Sequence, residues 1–563
     1  MNELLKRYCP RIEFESYEDL KENYRCNVPE RFNFAYDIVD EWARIEPEKP
    51  ALVWTNDSGE MKSYTFLDMK TWSDRAANVF ASYGVQKGDV VMLILKQRPE
   101  VWACMVALMK LGAICIPASY QLTPKDLIYR CNCANTKLIV SVDDAEILGH
   151  IRAARPECKT LENVLTIGDH PQEFTDFRAE VSKASKQFVR PTGENATQNS
   201  DPMLVYFSSG TTGWPKMVMQ DFAFPPGHIV TAKYWQCVEE NNVHMTQTDS
   251  GWAKFAWGKM YGQWICGAAI GAYDTEKFTP HGMLSAMMRL KPATFCAPAT
   301  IYRFLIKEDL SAYDFSFIRH ASIAGEPLNP EVYKKIQELT GMELREGFGQ
   351  TETSVLLANF PWIDVRPGSM GKPSPLYDID LLDGDGNPCE DGIVGSIVIK
   401  NTDVQHPTGL FREYWKSEET TRASWHDGIY NTGDMAWRDA DGYYWFVGRS
   451  DDVIKCSGYR IGPFEVESAL LEHPCVLECA VTAAPDPMRG QVVKATIVLA
   501  RGFEASDRLI KELQDHVKSV TAPYKYPRII EFVPELPKTV SGKIQRNVIR
   551  KTDEGKNFEP QCD

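Results

Sequence analysis

The sequence predicts an α/β protein: a large N-terminal domain of mixed and parallel sheets covered by helices, followed by a small α+β domain. Three observations carry this. Helix and strand patterns alternate through the first half of the chain, which implies parallel sheets with helices on their faces. The last stretch of roughly 110 residues changes to strand–turn–strand, then helix, then strand. The 563 residues, 44% hydrophobic and 25% charged, have the composition of a globular protein with room for a large core.

The elements follow in order. Residues 65–83 put Phe66, Met69, Trp72, Ala76, Val79 and Phe80 on one helical face. Thr65 with Asp68 has the form of a capping box, and Gly84 stands as a stop. Residues 89–95 (DVVMLIL) read as a buried strand, 99–113 (PEVWACMVALMKLGA) as a second helix and 114–118 (ICIPA) as another strand. Residues 182–201 are polar and aperiodic, a surface connection into the strand 203–207 (MLVYF). The formal glycosylation sequon at Asn195 is expected to be idle. In the small domain, 477–500 gives two strands and a turn, 506–520 an amphipathic helix and 528–533 a strand. The boundary falls near 448–452 (GRSDD), giving domains 1–449 and 450–563. There are no internal repeats.

The formal net charge of −15 argues against nucleic-acid and anionic-membrane partners, which favour a basic face. Any positive field for an anionic substrate must therefore be made locally. Fifteen cysteines are scattered without paired CxxC spacing, Cys131 and Cys133 forming a lone CxC, so free thiols in a reducing compartment are expected. The first twenty residues lack the apolar core of a secretory signal, and apolar runs such as 101–109 are too short to span a bilayer. A cytoplasmic protein is expected, with a homo-oligomer left open.

Residues 206–220 read YFSSGTTGWPKMVMQ. Glycines let backbone N–H groups approach an anion, hydroxyls donate to it and a lysine adds charge, so a phosphate is the natural guest. A Walker loop does not fit. Gly213 is followed by Trp214 and Pro215 before Lys216, and Met217 stands where a magnesium-binding Ser or Thr belongs. A kinase-type GxGxxG is absent.

SSGTTGWPK instead resembles the phosphate loop of the adenylate-forming superfamily. Further stretches resemble that family's other motifs in its order: 324–327 (AGEP), 347–352 (GFGQTE), 430–434 (YNTGD), 448–467 (GRSDDVIKCSGYRIGPFEVE) and 537–546 (PKTVSGKIQR). Nearly the whole chain is covered. Outside these motifs, a lone Thr-Glu, Asp, Arg or Lys would read as a solvated surface group.

The resemblance implies a reaction in two halves. A carboxylate attacks the α-phosphate of ATP to give acyl-adenylate and pyrophosphate, and a thiol then displaces AMP. Ser208, Ser209, Gly210, Thr211, Thr212, Gly213 and Lys216 would cradle the β- and γ-phosphates, on a loop often mobile in the family. Gly325, Glu326 and Pro327 would line adenine. Phe348, followed by Gly349 and Gln350, would stack on it; the family commonly has tyrosine there, but stacking needs only the ring face. Thr351 would bind the α-phosphate and Glu352 would ligate Mg2+. Asp434 would accept from both ribose hydroxyls, with Arg449 on the other side. Lys543, bridging carboxylate and α-phosphate, completes a catalytic set with Thr351 and Glu352. It must swing in for adenylation and out for thiolysis, so the small domain is expected to be mobile about a hinge at Asp451. Ser457, Gly458 and Tyr459 would then face the pantetheine, and Arg460, Arg489 and Arg528 the phosphates of coenzyme A. Acetylation of Lys543 would remove the charge adenylation needs.

Residues 457–470, 486–495 and 520–546 look specifically like the medium-chain acyl-CoA synthetase branch. That implies a short- to medium-chain acid, branched and simple aromatic acids included. Residues 248–264 would form its pocket, with Trp252 as a wall and Lys259 across the tunnel, binding a polar far end, or out in solvent. Two other readings stand beside the CoA ligase. One is an adenylating enzyme that passes the acyl group to a carrier protein or another acceptor, separated by CoA-dependent AMP release. The other is an ATP-binding protein with a degenerate phosphate loop, which would release ADP.

Overall fold

The computed structural model describes residues 3–168, 173–208, 214–456, 459–486, 489–538 and 544–553. The helix Phe66–Ser82 starts at Thr65, whose hydroxyl accepts from the Asp68 amide while the Asp68 carboxylate accepts from Thr65. This reciprocal pair satisfies two orphan donors of the first turn. Phe66, Met69, Ala76, Val79 and Phe80 are buried on its inner face, and the half-buried Trp72 packs on Tyr64 with ring centroids 5.5 Å apart. The strand Val90–Ile94 is buried throughout because both of its edges are occupied, by Ile114–Pro117 and Thr136–Val142, each in parallel register. The helix Glu100–Leu111 covers this sheet and ends at Gly112 in the left-handed region.

Among the described residues the strands form three sheets, of 8, 14 and 5 strands. The 8-stranded sheet carries Pro202–Ser208 and its antiparallel neighbour Lys216–Asp221 near one edge. In the 14-stranded sheet, Pro50–Asn56, Ala269–Asp274, Val243–Thr246, Thr294–Ala297, His320–Ile323 and Leu344–Phe348 run parallel in that spatial order. From there the sheet turns antiparallel through Leu357–Ala358 and Ser369–Pro373 to the pair Ile429–Arg438 and Tyr444–Arg449. The expected architecture of mixed and parallel sheets covered by helices is what forms.

The 5-stranded sheet is built from Ile454–Cys456, Tyr459–Ile461, Val476–Asp486, Gly490–Leu499 and Ile529–Phe532. Its core, including Ile454, Val481, Ile497 and Leu513, is separate from those of the larger sheets. The helix Asp507–Val520 is capped by Ser506 and buries Leu509, Leu513 and Val517 on it. This sheet meets the rest of the chain closely. A Cβ on Gly462 would lie 2.3 Å from the Val447 carbonyl oxygen, which only glycine avoids. The Asn329 amide also donates to the Ser468 carbonyl at 3.2 Å.

No described helix is long and apolar enough to cross a membrane. The described cysteines are all free thiols.

Candidate active site

The strands His320–Ile323 and Leu344–Phe348 are parallel neighbours, with Ile323 level with Glu346. The turn at Gly325–Pro327 and the segment from Phe348 to Glu352 therefore emerge side by side at the C-terminal ends of parallel strands, the usual place for ligands in such sheets. Gly325 is exposed with φ +99. The Glu326 side chain turns away, accepting from the Thr300 hydroxyl at 2.7 Å and from Arg303 at 3.3 Å. The Glu326 carboxylate is thus already engaged within the protein. Phe348 is half-buried, its ring 6.1 Å from that of Phe446. Gly349 is obligatory, since a Cβ there would meet the Trp257 ring at 2.3 Å.

Glu352 is 8% exposed. Its backbone carbonyl accepts from the Phe411 amide at 2.6 Å and its carboxylate from the Tyr414 hydroxyl at 2.9 Å. Tyr414 reaches it because Glu413–Tyr414 pairs antiparallel with Lys216–Asp221, placing Tyr414 opposite Val218. The Lys216 ammonium lies 4.7 Å from the centre of the Tyr414 ring. Gln220, on the same strand, donates to the Thr351 carbonyl at 2.8 Å. One strand thus joins the phosphate-loop lysine to both Thr351 and Glu352.

Ser208 and Lys216 face each other in register at the mouth of that loop. Its far shoulder is braced by Tyr129, which stacks on Trp214 at 4.2 Å and donates to the Pro215 carbonyl at 3.1 Å. Ser209, Gly210, Thr211, Thr212 and Gly213 lie outside the described residues, as do Ser457, Gly458 and Lys543.

A second cluster gathers around Asp434, which stands opposite Arg449 in register. The Arg449 guanidinium lies 3.3 Å from its carboxylate and donates to the Thr432 carbonyl at 3.1 Å. Gln350 bridges this pair to the Glu352 segment, donating to Asp434 at 2.5 Å and to the Thr432 carbonyl at 2.8 Å and accepting from Tyr430 at 2.9 Å. Asp451 follows, in a turn where the Asp452 and Val453 amides donate to the Arg449 carbonyl.

The donor set suits magnesium carried by a nucleotide. Such a metal is held by one or two carboxylates plus phosphate oxygens. Glu352 is a nearly buried carboxylate oriented at two points, and the described residues hold no cluster of three or more metal-ligating side chains.

Lys259 is fully buried, not in solvent, and donates to the Gln97 side-chain oxygen. Burial pushes its amine down to about 7, with Asp274 and Asp249 pulling the other way. Trp252 immediately precedes the helix Ala253–Gly258 that leads to Lys259. Tyr459, Arg489 and Arg528, of the described residues assigned to coenzyme A, lie on or beside strands of the small sheet. Tyr459 stacks on Tyr524 at 4.1 Å, Cys456 pairs with Gly490 beside Arg489, and the Arg528 amide donates to the Val493 carbonyl.

Sequence reasoning assigned no role to Tyr430 or Gln220, although both stand in motif stretches, and nothing in the sequence pointed to Tyr414 or Tyr129. Tyr414 lies 62 residues from Glu352, and nothing local marks it as its partner.

Residues 39–415 match the family described as AMP-binding enzyme, and 465–543 its C-terminal domain. Human acyl-coenzyme A synthetase ACSM3, mitochondrial, is 39% identical over 96% of this chain and 93% of its own. Human ACSM5, mitochondrial, is 42% identical over 94% and 92%. Among solved structures, an anthranilate CoA ligase, AuaEII, in complex with anthranoyl-AMP superposes with a TM-score of 0.83 at 29% identity, covering 93% of this chain and 98% of that one. A benzoate CoA ligase from Burkholderia xenovorans LB400 gives 0.79 at 26%, covering 92% and 100%.

These relatives correct the cytoplasmic expectation, because the curated ones are mitochondrial. Free thiols report a reducing compartment, and the lack of a secretory core argues only against the secretory route. Neither separates cytosol from mitochondrion.

Proposed function

The chain belongs to the AMP-binding enzyme family and is an AMP-forming acyl-CoA synthetase, and from that premise we propose how its residues divide the work. The reaction is ATP-dependent ligation of an acid to coenzyme A through an acyl-adenylate. A carboxylate oxygen bonds to the α-phosphorus as the bond to pyrophosphate breaks. The CoA sulfur then bonds to the acyl carbon, and AMP leaves.

The first half must bring anions together. Two unit charges at 4 Å repel by about 4 kcal/mol at an effective dielectric near 20, and a carboxylate beside a triphosphate meets several such terms. Lys216 and Ser208 offset them at the outer phosphates and Thr351 at the α-phosphate. Magnesium, when bound, neutralises phosphate charge, and Glu352 would hold it. Asp434 accepts from the ribose hydroxyls, with Arg449 orienting its carboxylate. Phe348 and the backbone at Gly325–Pro327 sandwich adenine. Lys543 supplies the mobile charge for adenylation from a domain spanning 450–563, turning about Asp451 against a domain spanning 1–449. Tyr459, Arg460, Arg489 and Arg528 of the small domain then take up coenzyme A.

The observation that carries this reading is the single strand Lys216–Asp221. It ties the phosphate-loop lysine to Glu352 through Tyr414 and to Thr351 through Gln220.

For the acid, the buried Lys259–Gln97 pair supports a short tunnel. A buried polar pair would end the space open to an alkyl chain, because displacing it would strip a hydrogen bond from a buried amine. The acid is short to medium in length, linear, branched or simple aromatic. The mitochondrial location of the relatives extends to this chain.

The test is incubation with Mg-ATP, CoA and acids from C2 to C10, linear, branched and aromatic, measuring AMP and pyrophosphate. CoA-dependent AMP with a preference for short or branched acids is expected. ADP in place of AMP, or a preference for the longest acids, would overturn the reading.

A further inference from the structure

The segment 539–543, which carries Lys543 in the sequence, is flanked by described residues that are tied down on both sides. Lys538 and Ile544 pair as a β-bridge, and the Gln545 amide donates to the Pro537 carbonyl at 2.8 Å. On the near side, the Lys538 ammonium donates to both Glu478 oxygens at 2.7 and 2.8 Å. On the far side is the helix Arg546–Asp553. Arg546 donates to both carboxylate oxygens of Glu467 at 2.7 Å and lies 3.8 Å from Asp452. Arg550 donates to Asp452.

Asp452 belongs to the turn that leaves the nucleotide cluster, and its own amide donates to the Arg449 carbonyl at 3.0 Å. A continuous path therefore runs from the Asp434–Arg449 pair, through the turn, to the helix that begins three residues after Lys543. Ion pairs made with two or more points of contact fix geometry better than isolated surface pairs. Asp452 is engaged by two arginines and is mostly shielded from solvent.

We propose that Asp452, held by Arg546 and Arg550, is a positioning residue for adenylation, registering the Lys543 segment against the turn that carries the ribose-binding arginine. This rests on the assignment of Lys543 to the first half-reaction. A misplacement of about 1 Å in such a group lowers rate by up to about a hundredfold without any loss of binding contacts. The second half-reaction does not need Lys543 and should not depend on the clamp.

Arg546 is a poor test, because its removal strands the buried Glu467 and destabilises the domain. Asp452 and Arg550 are the informative pair. The experiment compares wild type, Asp452→Asn, Arg550→Met, the double variant and Arg550→Lys. Adenylation is read as acid-dependent exchange of labelled pyrophosphate into ATP, and thiolysis as thioester formed from supplied acyl-adenylate and CoA. Expected are roughly ten- to hundredfold lower adenylation kcat in each single variant with little change in the KM for ATP, unchanged thiolysis, no further loss in the double variant and partial rescue by Arg550→Lys. Equal loss of both half-reactions, additive losses or no loss would overturn the clamp. Lys543→Ala runs in parallel. If it keeps adenylation, the assignment of Lys543 fails; if it loses adenylation while the Asp452 and Arg550 variants keep it, the clamp alone fails.

Discussion

Asp434 stands opposite Arg449 across two antiparallel strands, with a carboxylate oxygen 3.3 Å from the guanidinium and the Gln350 amide on the same oxygen. The register of the strands, and not side-chain reach alone, sets this pair. Asp434→Ala removes the acceptor for a ribose diol and leaves Arg449 facing an empty place. Loss of hydrogen bonds to a charged group costs about 1.5–3 kcal/mol, so ATP affinity should fall roughly tenfold to a hundredfold. Calorimetric titration with ATP checks this, and the ranking of acids should not change. A variant that binds ATP as tightly as wild type removes Asp434 from the ribose site.

Tyr414 holds the Glu352 carboxylate at 2.9 Å while Phe411 holds its backbone. Tyr414→Phe keeps the ring beside Lys216 and deletes only the hydroxyl. Losing an outer-shell partner typically costs ten- to hundredfold in metal affinity. The magnesium concentration for half-maximal adenylation should rise by about tenfold, with activity recovered at high magnesium. An unchanged magnesium dependence would take Glu352 out of the metal site.

Glu346 sits beside the Gly325–Pro327 turn, buried, accepting from the Leu328 amide at 3.4 Å. Burial pushes its carboxyl up to about 8. Because the folded value is raised above the usual carboxylate range, the folded state binds more protons than the unfolded state between about pH 4.5 and 8. Stability therefore falls as pH rises through that window and is flat above it. Glu346→Gln should remove the slope and raise stability at pH 8 by on the order of a few kcal/mol. Denaturant unfolding at pH 5, 6.5 and 8 distinguishes the two proteins, and parallel pH profiles would refute the burial argument.

Much of this was legible in the sequence, for reasons that differ by element. The helix Phe66–Ser82 and the strand Val90–Ile94 declared themselves because their own residues supply the cap and the apolar pattern. Glu352, Asp434 and Arg449 could be named as candidates because each lies in a motif stretch whose neighbours are also constrained, and the fold joins their segments through Gln350. What could not be read was contact between distant strands. Tyr414 reaches Glu352 only through the pairing of Glu413–Tyr414 with Lys216–Asp221, and Asp452 meets Arg550 across 98 residues. The Glu326 side chain shows the same limit, since only the fold turns it toward Thr300 and Arg303.

Lys259 brings stability and specificity into one experiment. Its amine is buried against Gln97, near the rings of Trp102 and Phe255 at 5.7 and 5.9 Å, and is lowered to about 7 by burial. A lysine depressed in the folded state binds fewer protons there than when unfolded, between about pH 7 and 10.5. Stability should rise with pH across that window, and the full cost of the buried amine is present below pH 7. Lys259→Met keeps most of the side-chain volume and removes the charge and the donor. It should be more stable than wild type at pH 6 and lose the slope between 7 and 10.5. If the Lys259–Gln97 pair closes the acid site as proposed, preference should move toward longer acids, a gain of about 0.8 kcal/mol for each further buried methylene. Chain-length profiles of kcat/KM for the two proteins, C2 to C10, measure the shift. A stabilised Lys259→Met with the wild-type profile would mean that the lysine is buried beside the acid site without closing it.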